Sequence, residues 1–200
     1  MISAAEQTRA ARIGAWLFRY RSFLPVPIVV IGLLVPGRQW WLTWALGAWF
    51  IIWGEAFRLT GVAAAGTVTR RRSRNVRQLV NWGVFGMTRN PLYVGNLLIW
   101  IGFAVMSGIS WFPLVAIALF AVEYHFIVAY EEGVLESTFG AEYLAYKAQT
   151  ARWWPHVGAR FVPGEHHWAE AWKSERSTFL QYAALIALLI VKAALVASRS

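Results

Sequence analysis

Long apolar runs alternate with short polar or basic segments along the whole chain. Five of these runs approach or reach the about 20 residues that a helix needs to cross a bilayer. They cover residues 23–35, 40–57, 92–106, 111–130 and 178–197. The pattern predicts an all-α, polytopic membrane protein with about five transmembrane helices.

The connections between the runs indicate how the helices are joined. Pro36 and Gly37 end the first run by turn chemistry. Gly108 and Ser110 make an uncharged turn between the third and fourth runs, so these two runs are expected to form a hairpin. A hairpin returns its two outer ends to the same face of the membrane.

Residues 131–150 follow the fourth run and are predicted to continue its helix beyond the membrane. Their larger side chains recur every three or four residues and therefore share one helix face. This set is Glu132, Leu135, Phe139, Tyr143 and Tyr146. A loop over residues 152–173 leads to the last run, near whose end Lys192 is expected to extend to the membrane interface.

The composition excludes several classes of protein. Of the 200 residues, 58% are hydrophobic and 14% are charged, and the mean hydropathy is +0.45, which is unusual for a soluble domain. No cysteine is present, so a disulfide framework and a thiolate metal site are excluded. The net charge of +9 is not accompanied by a recognised binding motif, so nucleic acid is not expected as a partner.

The distribution of basic residues predicts the orientation in the membrane. Sixteen lysines and arginines lie before the first run, between the second and third runs, or after the fourth, whereas the opposite side holds only Arg38 and Arg199. The densest group is Arg70, Arg71, Arg72, Arg74 and Arg77. Because basic loops stay in the cytoplasm, we expect a multi-pass protein of the inner (plasma) membrane with a cytoplasmic N-terminus.

A first polar cluster stands where the third run begins. Arg89 can bind a carboxylate or a phosphate through two parallel hydrogen bonds. Pro91 disfavours helix at Asn90 and suits the first turn of the helix that follows. The free N–H groups of that turn form an anion site, and Tyr93 adds an aromatic hydroxyl. This cluster is predicted to bind an anionic group.

A second polar cluster follows the fourth run. Glu131 and Glu132 can hold an ammonium or another cationic group, or they are simply solvated helix residues. Side chains that can stack on a flat ring or a cation are Phe85, Tyr143, Trp153 and Trp154. Both clusters together suit a ligand with a carboxylate, an amine, a cationic centre and a flat heterocycle. S-adenosylmethionine has all four groups, whereas an ATP-like ligand would need a glycine-rich phosphate loop, which the sequence lacks.

The order and spacing of these motifs resemble the isoprenylcysteine carboxyl methyltransferase and phospholipid methyltransferase superfamily of integral-membrane enzymes. The matching motifs are Gly83-x-Phe85, Arg89-Asn90-Pro91-x-Tyr93-x-Gly95, Glu131-Glu132-x-x-Leu135-x-x-x-Phe139-Gly140-x-x-Tyr143-x-x-Tyr146 and Arg152-Trp153-Trp154-Pro155. The resemblance implies an S-adenosylmethionine pocket at the cytosolic face. It also implies a lipophilic acceptor that reaches this pocket between the spans. The methyl transfer between them requires no metal.

Carried over residue by residue, the resemblance implies a role for each matched side chain. The cofactor site would be lined by Arg89, Asn90, Pro91, Tyr93, Glu131, Glu132 and Tyr143, and Tyr146 would pack beside Tyr143 in a lid. Arg152 would orient an acceptor carboxylate, and Glu132 or Glu131 would be the general base for an amine acceptor. Isoprenylcysteine enzymes usually have Arg-His-Pro, whereas the Arg-Asn-Pro found here occurs in the phospholipid type, so both acceptor classes stay open.

We expect one domain over residues 1–200. Residues 1–82 would hold the less-matched N-terminal spans and the basic loop. Residues 83–155 would form the cofactor-binding core, and residues 156–200 a loop with the last span. A transporter or a scaffold subunit is the alternative to an enzyme.

Ionisable residues inside the runs are the remaining sites of interest. Glu123 and His125 lie in the fourth run and are expected to make an interhelical hydrogen bond or to line the acceptor cavity. Glu55 and Arg58 are three residues apart in the second run, so they are expected to form an ion pair on one helix face.

Overall fold

The computed structural model of the chain describes residues 9–66, 78–155 and 158–198. Within these residues it has seven α-helices, one 3-10 turn at Val84–Gly86 and no strand. The helices are α1 (Arg9–Tyr20), α2 (Val26–Leu34), α3 (Trp41–Ala65), α4 (Pro91–Met106), α5 (Phe112–Phe139), α6 (Ala141–Gln149) and α7 (Trp168–Ala197). The predicted all-α class is therefore confirmed, while the basic group predicted over residues 70–77 lies outside the described residues.

Two helix boundaries differ from the sequence-based prediction. The helix predicted over residues 131–150 is broken at Gly140, where φ is +53° and the chain turns from α5 into α6. This left-handed conformation is easy for glycine and costly for residues with a Cβ, so the prediction of one continuous helix was wrong. The last helix begins at Trp168 and not at residue 178, so the preceding loop is shorter than expected.

Among the described helices, α5 and α7 are long and apolar enough to cross a membrane, with 28 and 30 residues. The apolar α4 is shorter, with 16 residues, and α2 has only nine. These helices have many large apolar side chains on their outer faces, for example Leu114 on α5 and Leu180 on α7, both 72% exposed. Such faces suit lipid as their solvent.

The tightest packing joins α3 to α4, which run antiparallel. A Cβ added to Gly54 of α3 would lie 2.7 Å from the carbonyl oxygen of Gly95 in α4, so the two backbones are in direct contact there. Gly47 and Gly102 repeat the same contact farther along the pair. Small residues at a helix crossing allow this approach in membrane proteins, and it fixes the start of α4 relative to α3.

The largest apolar cluster lies between α4 and α5. Its aromatic members include Tyr93 and Trp100 of α4 and Phe120 and Tyr124 of α5, and the last two rings are stacked with 3.9 Å between their centroids. Helix α1 and the turn after it cover this cluster with Leu17, Phe18 and Leu24. The N-terminal segment is therefore part of the packed bundle.

Helix α7 is attached to the bundle by few buried side chains, namely Ala171, Glu175, Leu189 and Lys192. The ammonium of Lys192 donates to the carbonyl oxygens of Gly32 and Ser107, both at 2.8 Å. These carbonyls lie at the C-terminal ends of α2 and α4, where helices leave acceptors unpaired and favour a cation. Lys192 is thus buried, and the expectation that it extends to the interface was wrong.

Candidate active site

The helical hairpin formed by α4 and α5 brings the two polar clusters together. Arg89 lies two residues before the start of α4, and Glu132 lies in the last part of α5. The Nε of Arg89 donates to Oε1 of Glu132 at 3.0 Å. The predicted meeting of the two clusters is therefore confirmed.

Glu132 is shared between two arginines. Its second oxygen accepts from Nε and Nη2 of Arg152, at 3.1 and 2.6 Å. The side chain of Glu132 is only 5% exposed, whereas that of Arg152 is 35% exposed. We call Arg89, Glu132 and Arg152 the hairpin cluster. Because two guanidinium groups share one carboxylate, the cluster has one positive charge in excess. Arg152 is the guanidinium that faces outward.

Backbone contacts fix the segment that carries Arg152. The N–H of Arg89 donates to the carbonyl of Ala151 at 2.8 Å, and Nδ2 of Asn90 donates to the carbonyl of Arg152 at 3.0 Å. The Arg89 guanidinium also donates to the carbonyls of Lys147 and Thr150. The predicted site residues Arg89 and Asn90 are thus hydrogen-bonded within the protein, and their role toward a cofactor stays a prediction.

Thr88 is a site residue that sequence reasoning missed. It is fully buried, and its hydroxyl donates to the carbonyls of Trp153, at 2.7 Å, and Arg152, at 3.2 Å. The same hydroxyl accepts from the N–H of Asn90 at 3.4 Å. A threonine next to a motif has no chemical signal of its own in the sequence, so only the contact across 64 residues reveals its part.

Glu131 points to a different group of residues from its neighbour Glu132. Its carboxylate lies 3.6 Å from Nη1 of Arg21, and both side chains are partly exposed, at 29% and 27%. The hydroxyl of Tyr93 also interacts with this carboxylate. Arg21 was counted in the sequence only as a basic topology residue, and the fold brings it to the site from the turn after α1.

The two tyrosines of α6 have different environments. Tyr146 donates to the carbonyl of Phe85 at 2.7 Å. Tyr143 is 1% exposed, and its buried hydroxyl has no hydrogen-bond partner among the described residues. Burial raises the pKa of both hydroxyls above the usual value, so both stay protonated and able to donate. The Tyr143 hydroxyl is therefore a donor that a bound ligand can satisfy.

The other predicted site residues have separate positions. Pro91 is the first residue of α4, as expected from its fixed φ. Trp153 packs against the α4–α5 cluster, whereas the neighbouring Trp154 is exposed. The stacking role expected of the aromatic residues stays a prediction.

Glu123 and His125 were expected to make an interhelical hydrogen bond or to line a cavity. Oε2 of Glu123 is buried without a hydrogen-bond partner in the described part of the chain, and His125 is exposed on α5. The first of the two expectations is therefore not met by this oxygen.

A second group of charges, which we call the α7 cluster, lies between α3, α4 and α7. The predicted pair of Glu55 and Arg58 is confirmed, with 3.3 Å between Oε2 and Nε. Arg58 also donates to both oxygens of Glu175, at 3.2 and 3.0 Å, and to Oδ1 of Asn96. Tyr182 donates to Oε2 of Glu55 at 2.9 Å. This cluster attaches α7 to the α3–α4 pair.

The architecture is that of an all-α protein with membrane-length helices and a charged cluster at the outer ends of a helical hairpin. The chain belongs to the phospholipid methyltransferase family, whose model matches residues 29–142. The match begins well before the motifs around Arg89, so it also includes α3 and most of α2. Family and apolar helices together identify the chain as a membrane protein.

Several relatives are similar over most of the chain. The protein named Protein-S-isoprenylcysteine O-methyltransferase B of Arabidopsis thaliana is 32% identical over 60% of this chain and 62% of its own length. A probable protein-S-isoprenylcysteine O-methyltransferase of Oryza sativa subsp. indica is 30% identical over 70% of this chain and 74% of its own length.

A bacterial relative has a different name. The Nickel-cobalt-cadmium resistance protein NccN of Alcaligenes xylosoxydans xylosoxydans is 27% identical over 73% of this chain and 65% of its own length. The chain spans 62% and 66% of the two Arabidopsis relatives that it matches. No solved structure matches the chain significantly.

Proposed function

We propose that this protein is an S-adenosylmethionine-dependent methyltransferase that acts on a lipophilic acceptor. The observation that carries the proposal is the hairpin cluster, in which Glu132 joins Arg89 and Arg152 from the two motifs of the family resemblance. The family match and the relatives named as O-methyltransferases support the same reaction class.

We further propose a multi-pass arrangement in the inner membrane, with about five spans and the hairpin cluster at the cytoplasmic face. The bias of lysine and arginine toward one side of the apolar runs supports a cytoplasmic N-terminus. Helix α2 has nine residues and rises about 14 Å, so it would cross only part of the bilayer without the turns that flank it. A polar methyl donor is available on the cytoplasmic side.

The residues at this face fit the groups of the donor. The Glu131 carboxylate is partly exposed and suits the ammonium of the donor, whereas the outward guanidinium of Arg152 is left for a carboxylate of the acceptor. The buried Tyr143 hydroxyl offers one unused hydrogen bond. Arg89 and Asn90 would form a wall of the site, because their hydrogen bonds hold the segment that carries Arg152, and Pro91 follows them as the first residue of α4.

The reaction requires alignment more than acid–base chemistry. The donor supplies a methyl group that is already activated by its sulfonium, and the electron pair of the breaking C–S bond stays on sulfur. Arg152 would orient the acceptor carboxylate, which forms the new O–CH3 bond and has no proton to lose. The protein therefore has to position two groups and exclude water, which raises their effective concentration.

An amine acceptor is the second candidate, and the Arg-Asn-Pro motif with the matching phospholipid methyltransferase model favours it. An amine must lose a proton, so a base is needed. Glu132 is occupied by two guanidinium groups, whereas Glu131 has one loosely held arginine and the neutral hydroxyl of Tyr93. In an amine reaction Glu131 is therefore the better base of the two.

Equilibrium binding of labelled S-adenosylmethionine to the purified full-length protein in lipid nanodiscs tests the proposal. Wild-type protein should bind the donor and transfer the labelled methyl to an isoprenylcysteine acid or to phosphatidylethanolamine. A membrane transporter or scaffold subunit would show neither binding nor transfer, and that result would contradict the proposed function. The acceptor that gains the label decides between the carboxylate and amine reactions.

A further inference from the structure

The contact between Arg21 and Glu131 is the loosest ion pair at the site. Its shortest distance is 3.6 Å, compared with 3.0 Å for Arg89 and 2.6 Å for Arg152 on Glu132. Both of its side chains are more than a quarter exposed, whereas the side chain of Glu132 is 5% exposed. A partly exposed and long ion pair of this kind contributes little energy, so another cation can replace Arg21 at Glu131.

The surroundings of Arg21 combine a charge with an apolar surface. Its guanidinium stacks over the ring of Phe18, with 4.2 Å to the ring centroid. Leu17, Phe18 and Leu24 pack against the α4–α5 cluster, which Trp153 also contacts. The turn after α1 and the segment that carries Arg152 therefore converge on the same apolar cluster. A lipid with a charged head group needs both kinds of surface.

Among the described residues, the charges in these three ion pairs do not balance. Three guanidinium groups, of Arg21, Arg89 and Arg152, face two carboxylates, of Glu131 and Glu132. When the ammonium of a donor takes Glu131, Arg21 loses its partner beside the site. A released guanidinium at a partly apolar surface favours a carboxylate or a phosphate, which it can bind with two hydrogen bonds.

We propose that Arg21 is a specificity-determining residue that exchanges partners. In the free protein Arg21 pairs with Glu131. The ammonium of the donor then displaces it from this carboxylate, and Arg21 binds an anionic group of the lipophilic acceptor. The anionic group is the carboxylate of an isoprenylcysteine, which Arg21 would bind together with Arg152, or the phosphodiester of a phospholipid. The inference rests on the proposed function and adds the chemistry by which the acceptor is selected.

Arg21 lies outside the part of the chain that the family model matches, which begins at residue 29. Its contact with Glu131 crosses 110 residues, from the turn after α1 to the end of α5. Selection of the acceptor would therefore depend on a residue outside the part of the chain that the family model matches.

The test compares Arg21→Ala with Arg19→Ala, since Arg19 is an exposed arginine two residues away, in the last turn of α1. Titration calorimetry in nanodiscs first measures the affinity for S-adenosylmethionine. Arg21→Ala should bind the donor about three-fold more tightly than wild type, because a competitor for Glu131 is removed. A residue with only a structural role would weaken donor binding or leave it unchanged. Arg19→Ala should match the wild type.

The second measurement determines acceptor affinity with and without saturating S-adenosylhomocysteine. In wild type this donor product should strengthen acceptor binding, because it frees Arg21, and Arg21→Ala should lose this coupling. Arg21→Ala should also weaken binding of the anionic acceptor about ten-fold. The probes are an isoprenylcysteine acid against its neutral amide, and phosphatidylethanolamine against a long-chain alkylamine. Of the two probe pairs, one is expected to bind. In that pair Arg21→Ala should lower the affinity for the anionic member and leave the affinity for the other member unchanged.

Three results would overturn the inference. If wild type binds the donor but Arg21→Ala binds it no more tightly, Arg21 does not compete with the donor for Glu131. If the mutation lowers the affinity for anionic and non-anionic acceptors equally, Arg21 does not bind the anionic group. If coupling between donor product and acceptor persists in Arg21→Ala, the exchange does not occur. Absence of donor binding in wild type would instead overturn the proposed function. Arg21→Gln repeats the measurements if the alanine variant elutes as an aggregate.

Discussion

The hairpin cluster and the α7 cluster are built from the same residue types in opposite proportions. In the hairpin cluster one carboxylate, Glu132, holds two arginines. In the α7 cluster one arginine, Arg58, holds the two carboxylates Glu55 and Glu175. The first cluster keeps one partly exposed guanidinium, whereas the side chains of the second are between 0% and 14% exposed.

This difference separates a site from a structural attachment. A charge that remains partly exposed beside a buried network can change its partner when a ligand arrives. A charge that is buried among protein partners has exchanged its hydrogen bonds with water for hydrogen bonds with protein. Breaking such a pair therefore leaves an uncompensated buried charge. The comparison supports the proposal that function lies at the end of the bundle with Arg152 and Glu131, whereas Arg58 attaches α7 to the α3–α4 pair.

Glu132→Ala should have the largest effect on activity. It leaves Arg89 and Arg152 without their shared carboxylate, so methyl transfer should fall by about 100-fold or more and stability by about 3–5 kcal/mol. Transfer assays and thermal unfolding of the purified protein measure both. Glu136→Gln is the control, since its pair with Lys147 is exposed and should contribute at most about 1 kcal/mol. Equal losses in both variants would contradict a special role for Glu132.

Arg58→Ala should reduce stability without a matching loss of donor affinity. It leaves Glu55 and Glu175 facing each other in a buried position, and we expect a loss of about 3 kcal/mol in the free energy of unfolding. Thermal unfolding and donor titration of the folded protein separate the two quantities. If donor affinity falls by about ten-fold or more in well-folded Arg58→Ala, the division between the two clusters is wrong.

Glu131→Gln should show the reverse pattern. It keeps the shape of the side chain and removes its charge, so donor affinity should fall about ten-fold. Stability should change by less than about 1 kcal/mol, because the pair with Arg21 is partly exposed. The same titration and unfolding measurements apply. Unchanged donor affinity would remove Glu131 from the donor site.

The two tyrosines of α6 provide the finest comparison. Tyr146→Phe loses the hydrogen bond to the carbonyl of Phe85 and should destabilise the protein by about 1 kcal/mol. Tyr143→Phe removes a buried hydroxyl that has no partner in the described structure, so stability should be kept while donor affinity falls about three- to ten-fold. Thermal unfolding and calorimetry of both variants check this. If the Tyr143→Phe variant keeps full donor affinity, this hydroxyl does not bind the donor.

The contact between the two polar clusters of the sequence, around Arg89 and Glu132, could be predicted because it depends on apolar run length and on one short turn. Apolar length marked the third and fourth runs as helices, and an uncharged turn joined them, so Arg89 and Glu132 had to return to one side. The break at Gly140 was not predicted, because the helical spacing of side chains continues across it. Periodicity describes a face, whereas the positive φ at one residue decides whether that face is continuous.

By itself, the sequence determined the all-α class, the pairing of the motifs and the neighbouring ion pair of Glu55 and Arg58. Each of these depends on residues close together in the chain or on the length of an apolar run. Only the tertiary structure decided that Arg21 contacts Glu131, that Glu175 completes the α7 cluster and that Lys192 is buried. An arginine or glutamate has the same chemistry wherever it stands in a sequence. Its partner and its exposure follow from which helices pack beside it.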